Sequence, residues 1–159
     1  MEKIINIDLV ETPIGILTIG AFDSGSAAFV LFEGNEAPMG SVRNPRPCSA
    51  LKKELVEYFA GKRTNFTVSY EIQGSEFTVA VLRALASVPY GTTVTYGELA
   101  AIAGYPQAAR AVGTVMAKNP LPIVLPCHRV LPAGGGVGNY GGGSEVKRFL
   151  LRLEGVNTV

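Results

Sequence analysis

Residues 95–118 read TYGELAAIAGYPQAARAVGTVMAK, and their reading decides what the second half of the chain is. Thr95 stands as a helix start signal before Tyr96-Gly97-Glu98-Leu99-Ala100-Ala101-Ile102-Ala103, and Gly104 closes that short helix. A second, longer helix is expected from about Gln107 to Lys118. Two short helices about a glycine-containing turn make a helix-turn-helix candidate, and a plain helical hairpin inside a core gives the same pattern. Composition is the distinguishing feature. Ala108, Ala109, Ala111, Gly113 and Thr114 are small, so the exposed face of the second helix can approach a nucleic-acid backbone closely. Arg110 is its only long cationic side chain before Lys118, which suits it to insertion.

Upstream, Phe77, Val81, Leu82 and Leu85 share one helical stripe that begins at Ser75-Glu76 and ends near Pro89-Tyr90-Gly91. Downstream, Leu121-Pro122-Ile123-Val124-Leu125-Pro126 is apolar and proline-rich. It reads as a rigid, buried, extended segment that delivers the next residue, Cys127, to a fixed place. Glycines between 134 and 143 form a loop around Asn139-Tyr140, and Ser144 to Leu153 is a last amphipathic helix with Val146, Phe149, Leu150 and Leu153 inward.

The first half follows a different period. Ile4 to Val10, Ile14 to Ala21 and Ala27 to Phe32 are short β-rich runs between turn signals, which predicts a small antiparallel sheet. A polar loop from Glu36 to Pro47 leads to a helix capped by Ser49, with Leu51, Leu55, Tyr58 and Phe59 at helical spacing until Gly61. Phe66 to Ile72 alternates as one more strand, and Gln73-Gly74-Ser75 is the junction. The expected fold is therefore α/β of the α+β kind. An N-terminal domain, residues 1–74, has an antiparallel sheet with a covering helix. A mainly helical winged helix-turn-helix domain, residues 75–159, follows.

Charge supports the division. Residues 1–74 hold seven Lys/Arg against nine Asp/Glu, a net −2, while residues 75–159 hold seven against four, a net +3, so the second half is the one suited to a polyanion. A solvated basic face without a partner has the same composition. No apolar run approaches the ~20 residues of a membrane helix, and the start lacks a secretory layout, which predicts a soluble protein of the cytoplasm or nucleoid. Cys48 and Cys127 do not make a disulfide framework, and with His128 the only histidine the chain has too few ligands for a structural zinc.

Cys127 sits beside that histidine. A thiol becomes a strong nucleophile when a base or positive charge favours its thiolate, although a free cysteine is also among the most buried residue types. The proline-fixed approach, His128 and Arg129 are features a purely apolar core position does not require. Neighbours in an extended segment point to opposite sides, so His128 is expected to reach the Cys127 sulfur through a bridging water. Its other nitrogen then needs a carboxylate to hold it, and the second half offers Glu76, Glu98, Glu145 and Glu154.

Pro126-Cys127-His128-Arg129-Val130, Tyr96-Gly97-Glu98-Leu99-Ala100, Arg110-Ala111-Val112-Gly113, Asn119-Pro120, Gly138-Asn139-Tyr140 and Leu153-Glu154-Gly155 together resemble the O6-alkylguanine-DNA alkyltransferases, in the family's order and spacing over residues 75 to 155. The resemblance implies direct reversal of O6-alkylguanine, and of O4-alkylthymine, by irreversible transfer of the alkyl group to Cys127, once per molecule and without a cofactor or metal. It implies that His128 deprotonates Cys127 through water, that Glu154 orients His128, that Tyr96 acts on the purine and that Asn119 fixes the junction after the recognition helix. Double-stranded DNA would be bound through its minor groove, with Arg110 filling the gap left by a flipped base. Tyr140 and Gly141 would wall the pocket, and Ala109, Gly113 and Arg129 belong to the expected DNA- and base-contacting set. Gly141 stands where some members place a serine, which leaves only backbone donation there. The chain is expected to act as a monomer away from membranes. Two other readings are a non-catalytic winged-helix module that binds alkylated DNA, and a cysteine hydrolase built on Cys127 and His128, whose neighbouring positions give poor geometry for direct proton transfer.

Overall fold

The computed structural model describes residues 4–157 and divides the chain into two compact units, Met1–Glu71 and Ile72–Val159. In the first unit β1 (Ile5–Thr12), β2 (Gly15–Phe22) and β3 (Ala27–Leu31) form an antiparallel meander. A two-residue strand, β4 (Val42–Arg43), pairs with β1 in parallel, giving the order β3-β2-β1-β4. The meander is the expected antiparallel sheet, and the stretch from Glu36 to Pro47 crosses to the β1 edge and adds the short parallel strand there. One face of the strands buries Val10, Leu17, Ile19, Ala21 and Val30, and helix α1 (Ser49–Phe59) buries Leu51, Leu55 and Tyr58. Full burial of such side chains contributes roughly 1.5–3 kcal/mol each.

Two expectations about this unit change. Ser49 lies inside α1 rather than capping it: a 3-10 turn at Arg46–Cys48 runs into the helix, and the Ser49 hydroxyl donates to the Arg46 carbonyl at 2.7 Å. Residues 66–72 form no regular strand and make only a single bridge, Tyr70 to Ala27. The cause is a competing acceptor. Buried Glu54 takes the Thr67 and Val68 amides at 2.8 and 3.0 Å, together with the Thr67 hydroxyl, so these groups serve a helix side chain instead of a ladder.

The second unit begins with α2 (Glu76–Ala86), whose N-cap Ser75 accepts from the Thr78 amide at 3.1 Å. Strand β5 (Val94–Thr95) leads into α3 (Tyr96–Ile102) through a reciprocal cap in which Thr95 and Glu98 each bond the other's backbone amide, at 3.0 and 2.9 Å. A turn through Gly104 then delivers α4 (Ala109–Ala117), slightly shorter than expected, and β5 pairs in parallel with β6 (Val130–Leu131). The last helix, α5, spans Ser144–Leu153. Its inner face is Lys147, Leu150 and Leu151, whereas Val146, Phe149 and Leu153 are half-buried, so only Leu150 of the expected four is fully covered.

The proline-rich segment is buried throughout, as expected, but it is not extended. Leu125 N–H bonds Leu121 C=O at 2.7 Å around a tight reversal in which Ile123 adopts φ 77°, and Cys127 N–H bonds Leu125 C=O at 2.8 Å. Cys127–Arg129 continues as a 3-10 turn closed by Arg129 N–H to Pro126 C=O at 3.0 Å. The prolines fix φ and remove donors, and the remaining amides close the turn. Among the described residues no helix is long and apolar enough to cross a membrane.

Candidate active site

The turn at Cys127–Arg129 places three consecutive side chains in three different environments, and all three are buried. Cys127 is 6% exposed and lines a pocket of about 890 Å³ together with Tyr96, Arg110, Gly113, Tyr140 and Gly141; Ala109 lines it as well. Two residues of the segment before it are tied down by Asn119, which donates to Leu125 C=O at 2.9 Å and accepts from the Leu121 amide at 3.0 Å. Burial pushes the Cys127 thiol above its usual range, while the Asn119 side chain, the Lys147 charge and the Tyr140 hydroxyl oppose that rise. Burial, with the adjacent Cys127 charge, also raises Tyr96, so its phenol stays protonated at neutral pH.

His128 is wholly buried, and its Nε2 lies 2.6 Å from Glu154 Oε2. A carboxylate at that nitrogen selects the tautomer with the proton on Nε2. Nδ1 has no hydrogen-bond partner among the described protein groups, so it makes no direct bond to the Cys127 sulfur. Burial depresses the imidazole's proton affinity against the pull of Glu154, which leaves it neutral near pH 7. Of the four candidate carboxylates, Glu154 is the one placed at His128. Glu98 caps α3, Glu145 pairs with Arg148 on the surface, and Glu76 sits in the first turn of α2.

Arg129 corrects the expected DNA-contacting set. It is 6% exposed and each nitrogen of its guanidinium makes a hydrogen bond: Nε donates to Glu154 Oε1 at 2.8 Å, Nη2 to Oε2 at 3.0 Å, and Nη1 to Val88 C=O at 2.7 Å. A buried guanidinium without its carboxylate would be costly, so this pairing keeps Arg129 inside rather than on a nucleic-acid surface. Arg110, by contrast, is exposed on α4, among Ala109, Ala111, Gly113 and Thr114, with Gly113 lying against the Tyr96 ring.

Lys147 belongs to the site and was not singled out from the sequence. It is 0% exposed, donates to Val130 C=O at 2.7 Å and stands 5.9 Å from the Tyr140 ring centroid. Burial pulls its pKa from 10.5 to about 8, the Cys127 charge resisting. The signal was present as spacing: Lys147, Leu150, Leu151 and Glu154 fall at i, i+3, i+4 and i+7, an apolar stripe with a charge at each end. Gly138 has φ 76° with Pro132 so close that a Cβ would lie 2.7 Å from its ring, which requires glycine where the loop bends toward the pocket. Among the described residues no group of His, Cys, Asp or Glu has the makings of a metal site.

Residues 76–156 match the family model described as 6-O-methylguanine DNA methyltransferase, DNA binding domain. The chain is 43% identical over 147 residues to a methylated-DNA–protein-cysteine methyltransferase of Mycolicibacterium paratuberculosis, covering 91% of this chain and 89% of the relative. It is 39% identical over 148 residues to one of Methanosarcina acetivorans, covering 91% and 95%. In structure it is similar to Mycobacterium tuberculosis OGT in complex with DNA, with TM-score 0.88 and 38% identity over 94% of this chain and 92% of that one. The likeness extends to the O6-methylguanine-DNA methyltransferase of Pyrococcus kodakaraensis, at TM-score 0.68 and 27% identity over 96% and 100%.

Proposed function

The chain belongs to the 6-O-methylguanine DNA methyltransferase family, and on that premise we propose which of its residues carry the reaction and how they do it. Its activity is DNA repair by transfer of an alkyl group to a protein cysteine. The acceptor is Cys127, and one observation carries that assignment: of the two cysteines, it is Cys127 that lines the 890 Å³ pocket, while Cys48 is 0% exposed.

In the resting site Cys127 is a thiol and His128 a neutral base. Its Nε2–H is held by Glu154, and its Nδ1 takes the thiol proton through a bridging water. The sulfur then attacks the alkyl carbon in line. The S–C bond forms as the C–O6 bond breaks, and the released electron pair stays on the purine. Tyr96, kept protonated by burial, donates to that purine and is recharged from water, while His128 returns its proton to solvent. The product is a thioether and an intact guanine, so each molecule reacts once and needs no cofactor or metal. O4-alkylthymine is a second substrate of the same chemistry. Asn119 positions the segment that bears the nucleophile.

The substrate is double-stranded DNA. We place α4 in its minor groove, where Ala109 and Gly113 permit close approach and Arg110 enters the stack in place of the extruded base. Tyr140 and Gly141 wall the pocket that receives it. Residues 75–159 act as the catalytic and DNA-binding domain and residues 1–74 as a separate domain. The protein works as a monomer in the cytoplasm, at the nucleoid. Intact-mass measurement after incubation with duplex DNA containing O6-methylguanine tests the reading. One methyl is gained, peptide mapping puts it on Cys127, and the Cys127→Ser protein gains nothing. An unchanged mass with retained binding to the lesion would leave the non-catalytic module instead.

A further inference from the structure

Glu154 is gripped from two sides besides His128. Arg129 bonds both of its oxygens, and the Gly91 amide donates to Oε1 at 3.2 Å from a residue that reaches this position only through φ 77°. Oε2 is shared by His128 Nε2 and Arg129 Nη2, so the plane of the carboxylate and that of the imidazole are set together. The guanidinium is in turn anchored on Val88 C=O, and its carbon lies 5.7 Å from the Tyr90 ring centroid. A fork of five donors in fixed geometry is suited to this in a way that a single ammonium is not.

We propose that Arg129 is a positioning residue of the transfer reaction: by clamping both oxygens of Glu154 it dictates which nitrogen of His128 carries the proton and so leaves Nδ1 as the base. The inference rests on His128 serving as that base, and it replaces a DNA-contacting role for Arg129 with one exerted through two neighbours. The charged and titratable groups that face His128 are Lys147 from α5 and Glu154 at its C-cap, Arg129 and Cys127 from its own turn, and Tyr90 beyond Arg129 from the loop after α2. Burial depresses the imidazole's proton affinity most; Arg129 and Lys147 depress it further, and Glu154 alone raises it. Losing the guanidinium therefore has a defined sign: the His128–Glu154 pair takes up a proton at higher pH.

His128 is the only histidine in the chain, so the full-length protein labelled with ¹⁵N-histidine gives one pair of ring-nitrogen signals, readable without substrate. In the native protein Nε2 carries the proton and Nδ1 does not, and the ring does not titrate through neutral pH. In Arg129→Gln the two signals move toward each other as the tautomers mix, and the titration midpoint rises by about one pH unit. The single-turnover rate on methylated duplex falls on the order of a hundredfold, and the acid limb of its pH profile moves up by the same amount. Arg129→Lys keeps the charge and loses the fork, so its midpoint lies nearer the native one while tautomer mixing persists. Native ring signals in a folded Arg129→Gln protein, or in Arg129→Lys should the glutamine variant fail to fold, overturn the proposal and leave Arg129 a structural staple. A His128→Ala protein that transfers at the native rate would instead remove the relay, while the ring signals still judge what Arg129 does to His128.

Discussion

Cys48 and Cys127 are both buried and both free, and burial raises both thiols, yet their surroundings diverge. The Cys48 sulfur bonds the Asn6 carbonyl at 3.3 Å, and the nearby Asp8 charge adds to the rise caused by burial, against the opposing pull of the Ala21 backbone and the Arg43 and Lys52 charges. An acceptor and an anion both favour a thiol that keeps its proton. Around Cys127, among the described residues, no anion adds to the rise: Asn119, Lys147 and Tyr140 all favour the thiolate, and the sulfur faces a pocket. Burial alone thus distinguishes nothing. Reactivity is decided by whether the polar groups at the sulfur stabilise the charged or the neutral form.

Lys147→Met is the change that pushes Cys127 furthest toward the state of Cys48. It keeps the apolar stem of α5 and deletes the nearest full positive charge. The expected result is a rise of about one unit in the Cys127 thiol pKa, hence about a tenfold loss of thiolate at neutral pH, since one unit corresponds to ~1.4 kcal/mol. Iodoacetamide labelling followed by peptide mass reads it, with Cys48 as the internal control; unchanged labelling of Cys127 would remove Lys147 from the account. Stability should change as well, with a fixed sign. The folded-state value of about 8 lies below the ordinary 10.5, so between those values the unfolded chain binds more protons and stability rises with pH. The raised thiols lower stability over the same window in both proteins, so the expected readout is the difference: from pH 8 to 10.5 the denaturant midpoint of the native protein should climb relative to that of Lys147→Met.

Asn119→Ala alters the same contrast mainly through geometry, and it also removes a side chain that favours the Cys127 anion. It removes bonds to the Leu121 amide and the Leu125 carbonyl, at 3.0 and 2.9 Å, that hold the reversal leading to Cys127. At about 1 kcal/mol per bond the stability loss should be ~2 kcal/mol, read as a lowered Tm. Transfer should slow by roughly tenfold from misplacement of the sulfur. A native rate in a destabilised protein would mean that the turn is positioned without Asn119.

Much of this was legible in the residues. The three strands and the helices at 76–86, 96–102 and 144–153 follow from periodicity and capping residues, and the gathering of Cys127, Tyr96 and Tyr140 about one pocket is what the family resemblance of their motifs implies. Other features depend on contacts that local sequence does not encode. Residues 66–72 alternate like a strand, yet the Glu54 carboxylate, 13 residues earlier than Thr67, captures their amides. Leu121 to Pro126 reads as extended because proline forbids helix and central strand, but the same residues close a tight reversal when the remaining amides find carbonyls nearby. Arg129 reads as a surface cation until Glu154, 25 residues away, is brought to it. The chain's buried charges were the least legible part, since each depends on a partner supplied by the tertiary fold.

Cys48→Ala is the smallest change and the sharpest control on the contrast between the two sulfurs. It deletes a buried, hydrogen-bonded thiol beneath the sheet, where the sulfur is wholly enclosed. Removing so small a group costs about 1 kcal/mol, the sum of lost contacts and a minor cavity. Because the change lies in the first compact unit, and Cys127 with its pocket in the second, the alkyl-transfer rate should equal the native rate within error while the Tm falls by a few degrees. Stoichiometry completes the test: the Cys48→Ala protein should still gain one methyl per molecule. A gain below one, or a slower transfer at unchanged stability, would mean that Cys48 takes part in the chemistry, and the division between a locked thiol and a reactive one would have to be redrawn.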